Sequence, residues 1–130
     1  MQLNALKFEL LRYGNNQGIK DSTSYLNPES ELIEETVKVK DLGVDMTNDC
    51  KFNTHISRVA ESAKKMASWI LRTFETRETQ PMLLLFKSLG RPLLEYASPL
   101  WTPIDKAEIN LLERIQKSFI TKINDISNDY

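Results

Sequence analysis

A single cysteine and a single histidine stand in 130 residues. With only Cys50, no disulfide can form within the chain, which is compatible with a reducing compartment. Cys50 has no basic neighbour except Lys51 and reads as inert. His55 has no second side chain at metal-ligand or catalytic spacing, so it reads as a helix-entry residue rather than a ligand. Long apolar runs are also missing. The longest, Met82 to Phe86, falls far short of the roughly 20 residues that span a bilayer. The N-terminal stretch lacks a basic segment followed by an apolar one, so no secretory signal is visible. No repeat or low-complexity tract interrupts the chain. These absences are compatible with an intracellular location, cytoplasmic or nuclear, without fixing it, and no membrane partner is expected.

What is present is ordinary for a globular domain: 41% hydrophobic and 27% charged residues. A chain of this length buries about two-thirds of its surface on folding, enough for one core. The net charge of −1 hides an asymmetry. Residues 1–50 carry five basic and nine acidic side chains, whereas residues 51–130 carry twelve and nine. A polyanion, if one is bound, meets the second half.

The first half reads as short strands and turns. Leu6, Phe8 and Leu10 alternate in the period of a strand. Asn15-Asn16-Gln17-Gly18 and Asn27-Pro28 signal turns. Val37, Val39, Leu42 and Val44 predict one or two strands broken near Asp41 to Gly43, and Thr47 to Asp49 a loop. The second half reads as helical. Ile56, Val59, Ala60, Ala63, Met66, Ala67, Ile70, Leu71 and Phe74 form one 3.6-period stripe from Phe52 to Phe74, with Asn53 or Asp49 as its cap. Pro81 suits the first turn of a second helix. Met82 to Phe86 and Leu89 make that helix apolar on most sides, so it is expected to be central, broken or kinked at Gly90 and Pro92. Leu93 to Trp101 predicts a further helical stretch ending between Pro99 and Pro103, with Trp101 packed. Asp105 is placed to cap a last helix carrying Ile109, Leu112, Ile115, Phe119, Ile120 and Ile123.

Three ordered segments carry a resemblance: NALKFELLRYG (Asn4 to Gly14), VKDLGVDMTNDCKFNTHI (Val39 to Ile56), and Met66 to Gln116 with ASWILRTF, LLFKSLGRPLLEYASPLW and LLERIQ. In order and spacing they are similar to the region that follows the catalytic strands in reverse transcriptases of non-LTR retrotransposons. The resemblance implies an α+β chain, a small antiparallel sheet ending the palm followed by a thumb of three to four helices. Its boundaries are residues 1–50 for the palm strands, 51–123 for the thumb-like helices and 124–130 for a fraying polar tail. By the same resemblance, Asn4 and Lys7 match the family's Asn-x-x-Lys stretch, whose lysine lies near the incoming nucleotide. Leu42-Gly43 matches the turn that grips the primer end. Leu94-Glu95-Tyr96 and Leu100-Trp101 look like its thumb-core signature.

The family's catalytic Asp pair has no counterpart, since no two aspartates are adjacent anywhere in the sequence. Two-metal phosphoryl transfer needs such carboxylates. The reading is therefore a non-catalytic fragment with no catalytic residues, no metal site and no cofactor of its own, although the parent RNA-directed DNA polymerase uses Mg2+. Asp41, Asp45 and Asp49 recur every four residues, but in a strand and loop where that spacing does not converge. Without a bound nucleotide Lys7 is a surface lysine, and Gly43 serves the backbone. A sheet missing its neighbours leaves an edge bare, which predicts a marginal, adhesive fold.

One feature of the residues suits nucleic acid, and it is the resemblance that raises this reading level with a plain solvated face. Lys51, Arg58, Lys65 and Arg72 repeat every seven residues along one line opposite the apolar stripe. Trp69 falls within about 20° of Arg58 on the helical wheel, eleven residues away. Cations beside an aromatic suit a phosphate backbone and a stacked base or sugar. The same row is equally what a solvated helix face looks like, with Glu61 as an ion-pair partner. The expected partners are an RNA/DNA duplex, bound weakly and without sequence preference, and the rest of the polymerase. Two alternatives remain on sequence alone: a retrotransposon-derived module retained by a host to bind nucleic acid or protein, and an unrelated helical interaction protein.

Overall fold

A computed structural model describes residues 4–74 and 78–128. The fold is α+β, and the chain divides into two compact units that meet at Phe52 and Asn53. No helix among the described residues is long and apolar enough to cross a membrane.

The first unit contains strands β1 (Leu10–Leu11), β2 (Glu35–Thr36), β3 (Lys38–Asp41) and β4 (Val44–Thr47), with helix α1 (Gln17–Ser22) after β1. β1 pairs with β2 in parallel, Leu10 opposite Glu35. β3 and β4 form the antiparallel hairpin, in register from Lys38–Thr47 to Asp41–Val44. Two expectations fail here. Leu6, Phe8 and Leu10 do not share a strand, because Ala5–Lys7 is a 3-10 turn and β1 begins only at Leu10. The Asn4 side chain decides this locally, accepting from the Leu6 N–H at 3.0 Å and so curling the chain. The turn expected at Asn15 to Gly18 is instead a helix start, with the Asn16 side chain accepting from the Ile19 N–H.

Arg12 ties this unit together. Its guanidinium donates to the Ile19, Lys20 and Thr23 carbonyls and to the Thr23 hydroxyl. It lies 3.5 Å from the Glu35 carboxylate of β2 and over the Tyr25 ring. These carbonyls lie in the last turn of α1 and at its C-cap, so a fixed cation meets the negative end of the helix, where the Ile19 carbonyl also accepts from the Ser22 and Thr23 hydroxyls.

The second unit holds most of the buried core. Helix α2 (Asn53–Thr73) buries Ile56, Val59, Ala60, Ala63, Ala67 and Ile70, as the sequence stripe predicts. Helix α6 (Lys106–Asn128) buries Ile115, Phe119 and Ile123. Asp105 starts it, accepting from the Ala107 N–H at 3.0 Å. Ile109 and Ile120 face outward rather than into the core. The helix runs to Asn128, and positions 129–130 lie outside the described residues.

Between these helices the chain forms α3 (Thr79–Leu85), a π turn (Phe86–Gly90), α4 (Arg91–Glu95) and α5 (Ser98–Trp101). Met82, Phe86, Gly90 and Leu94 are buried, one every four residues. In a straight α-helix that spacing drifts by about 40° per step, and the wider π turn reduces the drift and keeps all four on one face. The expected break at Gly90 and Pro92 is thus a widened turn, in which the Arg91 N–H reaches the Phe86 carbonyl. Leu84 and Leu89 are exposed, so the segment is apolar on more sides than it buries. Pro99 lies inside α5 rather than at its end, and the helical stretch is broken before it by Ala97, whose φ is 53°. Trp101 is buried below the break, its indole N–H donating to the Tyr96 carbonyl at 2.7 Å.

The Phe86 ring stacks on Phe119, with centroids 4.5 Å apart and planes 21° from parallel. Its other neighbour is the backbone of Gly90, where an added Cβ would come within 2.7 Å of the ring. Gly90→Ala is therefore expected to destabilise the protein by about 1–3 kcal/mol through overpacking, although alanine is the better helix former. Phe119→Ala should cost about 3–5 kcal/mol. Urea melts followed by circular dichroism measure both, and an unchanged midpoint for Gly90→Ala would show that the ring can move aside.

Candidate nucleic-acid interface

The hairpin tip is built by backbone conformation. Leu42 and Gly43 are the two central residues of the β3–β4 turn, with φ of 45° and 85°. Positive φ at both is the requirement of the two-residue turn that matches strand twist. Gly43 meets it freely, whereas Leu42 does so against a steric cost of about 1–2 kcal/mol. Leu42 is 84% exposed, so burial does not compensate. A strained, exposed leucine at a hairpin tip is the kind of outlier that marks a contact surface.

Lys7 ends the 3-10 turn rather than standing on a strand. Its N–H donates to the Asn4 carbonyl at 3.1 Å, and the residue is exposed. Asn4 and Lys7 are thus the two ends of one turn, which gives their spacing a local structural reason.

The cation row changes membership. α2 begins at Asn53, so Lys51 is not on the helix. Lys51 belongs to the first unit, where its N–H donates to Asp49 at 3.1 Å and its carbonyl accepts from the Thr47 hydroxyl at 2.7 Å. The Thr47 hydroxyl bond and the Lys51 N–H hold the Asp49 carboxyl below its ordinary range. Asp49 therefore closes this loop and does not cap α2.

Arg58, Lys65 and Arg72 remain on α2, away from its buried face. Arg58 is half-buried, with Nη2 3.2 Å from His55 Nδ1. Arginine can only donate, so Nδ1 accepts. His55 is itself buried, edge-on to Trp101 at 5.1 Å. The expectation of an idle helix-entry histidine misses this role, and its position three residues before Arg58 on a helix is the signal that could have shown it. Lys65 lies 2.7 Å from Glu61. That bond holds the Glu61 carboxyl below its ordinary value. Arg72 is exposed, its Nε donating to the Ser68 carbonyl at 3.3 Å. Trp69 is 43% exposed and set edge-on to Phe74 at 5.8 Å. The Phe74 contact fixes the indole while leaving part of its surface to solvent, one helical turn from Arg72.

Asp41, Asp45 and Asp49 do not converge. Asp41 ends β3, Asp45 is buried with Lys38 3.7 Å away, and Asp49 is engaged by the loop. No group of three His, Cys, Asp or Glu side chains that could hold a metal is found among the described residues.

No family model, curated protein or solved structure matches the chain. The reading of the site therefore rests on the residues and their geometry.

Leu42→Asn places at the strained position a residue that tolerates positive φ. It should stabilise the protein by about 1 kcal/mol, the recovered strain. Thermal melting and amide exchange across β3 and β4 are the measurements. Equal or lower stability would mean that the Leu42 side chain contributes more to the native state than its backbone costs.

Proposed function

We propose that this chain is a non-catalytic part of a reverse transcriptase resembling those of non-LTR retrotransposons, and that its helical unit grips a template/primer duplex. The observation that carries the reading is the outward face of α2, where Lys65, Trp69 and Arg72 lie together with Arg58 about two to four turns before them. Phosphates pair with the cations, and the half-exposed indole offers a surface for a sugar or an unpaired base. The ordered residue resemblance supports the same assignment, with Leu42-Gly43 in the primer-grip role and Lys7 near the nucleotide.

The chemistry of the face sets its strength. Arg58 is engaged by His55 and Lys65 by Glu61, so Arg72 is the most available cation. Two to three phosphate contacts follow, and the slope of log affinity against log salt is about −2. Binding is weak, independent of sequence and largely lost at high salt. With no aspartate pair to hold two metal ions, the chain itself does not extend a primer.

The test is fluorescence anisotropy of a labelled RNA–DNA hybrid across a salt series. Lys65→Glu with Arg72→Glu should weaken binding at least about tenfold and flatten the slope. Glu61→Gln, which releases Lys65, should tighten binding and steepen it. Identical curves for all three proteins, with helicity retained, would make the face a solvated one. Primer extension with magnesium or manganese is expected to give no template-dependent product.

A further inference from the structure

A second surface lies between the two long helices. α2 and α6 leave an open groove of about 530 Å³. Its floor is aliphatic and small, formed by Ala60 and Ala67 from α2 and by Leu111 and Ile115 from α6. Lys64 lines it from one helix, and Arg114 and Lys122 from the other. Among the described residues no carboxylate forms an ion pair with any of these three. Glu61, the one acid lining the groove among the described residues, pairs with Lys65 at 2.7 Å and also feels the charge of Lys64. The groove is thus an apolar trough with positive charge along both sides, Lys64 sharing Glu61 with Lys65 and Arg114 and Lys122 in no ion pair among the described residues.

We infer that this groove docks an amphipathic helix of a partner protein, its apolar ridge on the floor and acidic residues on both flanks. Three observations select that occupant. The lining residues run from Ser57 to Leu71 on α2 and from Leu111 to Lys122 on α6, about 21 and 16 Å at 1.5 Å per residue. That length seats a helix of three to four turns, recognised by anchors at every third or fourth residue. Arg114 and Lys122 lie about 12 Å apart along α6, so the cations are spread along the trough, which suits a ligand with several separated charges better than one with a single charged head. Phe119, the one aromatic lining residue, is buried, so a nucleic-acid strand finds an aliphatic floor and no ring on which to stack a base. The groove and the cation row occupy different arcs of α2, and this inference does not depend on the nucleic-acid reading.

The experiment uses the full chain and fluorescein-labelled 14-residue peptides of designed sequence. One carries a leucine ridge at helical spacing flanked by glutamates, and a second has lysines in place of the glutamates. The acidic peptide should bind at least about tenfold more tightly, and NMR amide shifts should cluster in Ser57–Leu71 and Leu111–Lys122. Arg114→Glu with Lys122→Glu should abolish that preference, whereas Arg114→Lys with Lys122→Arg should keep it, separating charge from folding. Ser118→Trp, at an exposed lining position, should block binding while helicity is unchanged. Equal affinity for the two peptides, or no binding to either, overturns the inference. So does displacement of the acidic peptide by an RNA–DNA hybrid with shifts at the same residues, which would assign the groove to nucleic acid.

Discussion

The position of one ring constrains the helical unit. Phe86 lies against the bare Cα of Gly90 and stacks on Phe119 of α6. A flat ring can approach a helix backbone that closely only where no Cβ intervenes. The π turn beginning at Phe86 then brings Met82, Gly90 and Leu94 onto the same buried face. Remove the glycine and the ring must shift, and with it the contact that joins the middle segment to α6. The alanines of α2 belong to the same logic: Ala60, Ala63 and Ala67 are buried, and small side chains let packed helices come close. The core is therefore made of a few large rings and small surfaces cut to fit them, which is why its sequence looks only moderately hydrophobic.

The first unit is held differently. Among its described residues only Val44 and Asp45 are buried, and Asp45 is a polar residue 3.7 Å from Lys38 rather than an apolar group. What replaces a large apolar core is a polar hub, with one guanidinium serving several carbonyls, a hydroxyl, a carboxylate and a ring. Hydrogen bonds to a charged group contribute about 1.5–3 kcal/mol each where they are shielded. Such a hub fixes the path of the chain between β1 and β2 while leaving Leu26, Leu32 and Val37 exposed.

How much of this could be read from the residues follows from the range of each interaction. The two long helices were legible because their apolar periodicity extends over five or more turns, and the hairpin because Leu42-Gly43 interrupts two apolar-alternating runs. Short elements were not. The Asn4 and Asn16 side chains each choose a local hydrogen bond that converts an apparent strand into a 3-10 turn and an apparent turn into a helix start. Arg12 gave no signal, because its partners are mostly backbone carbonyls, which every residue has. The π turn was read as a break because glycine and proline in a helix usually mean one. Of the site, the helix face was legible and its strength was not. The spacing of His55 to Arg58 and of Glu61 to Lys65 allows both contacts, but only the folded geometry shows that they form and that Lys51 lies before the helix.

The surface of α2 is divided by the same periodicity that folds it. Its buried residues centre on one side of the helix. The groove-lining residues fall about 100° away, and Arg58, Lys65, Trp69 and Arg72 fall about 100° further round. A helix packed on two sides by its own unit has no spare circumference for a third function. Here Lys64, Lys65 and Arg72 stay exposed while Arg58 is half-buried. Glu61 lies where the two exposed arcs meet, lining the groove while its carboxylate holds Lys65 of the row. A ligand that draws Lys65 away leaves Glu61 as an unpaired acid beside the groove, which disfavours an acidic occupant there. Conversely, an acidic helix in the groove raises the negative potential around Lys65 and competes with phosphate for it. If both surfaces are used, the pair couples them with a definite sign: each ligand weakens the other, and by reciprocity of linkage the two factors are equal.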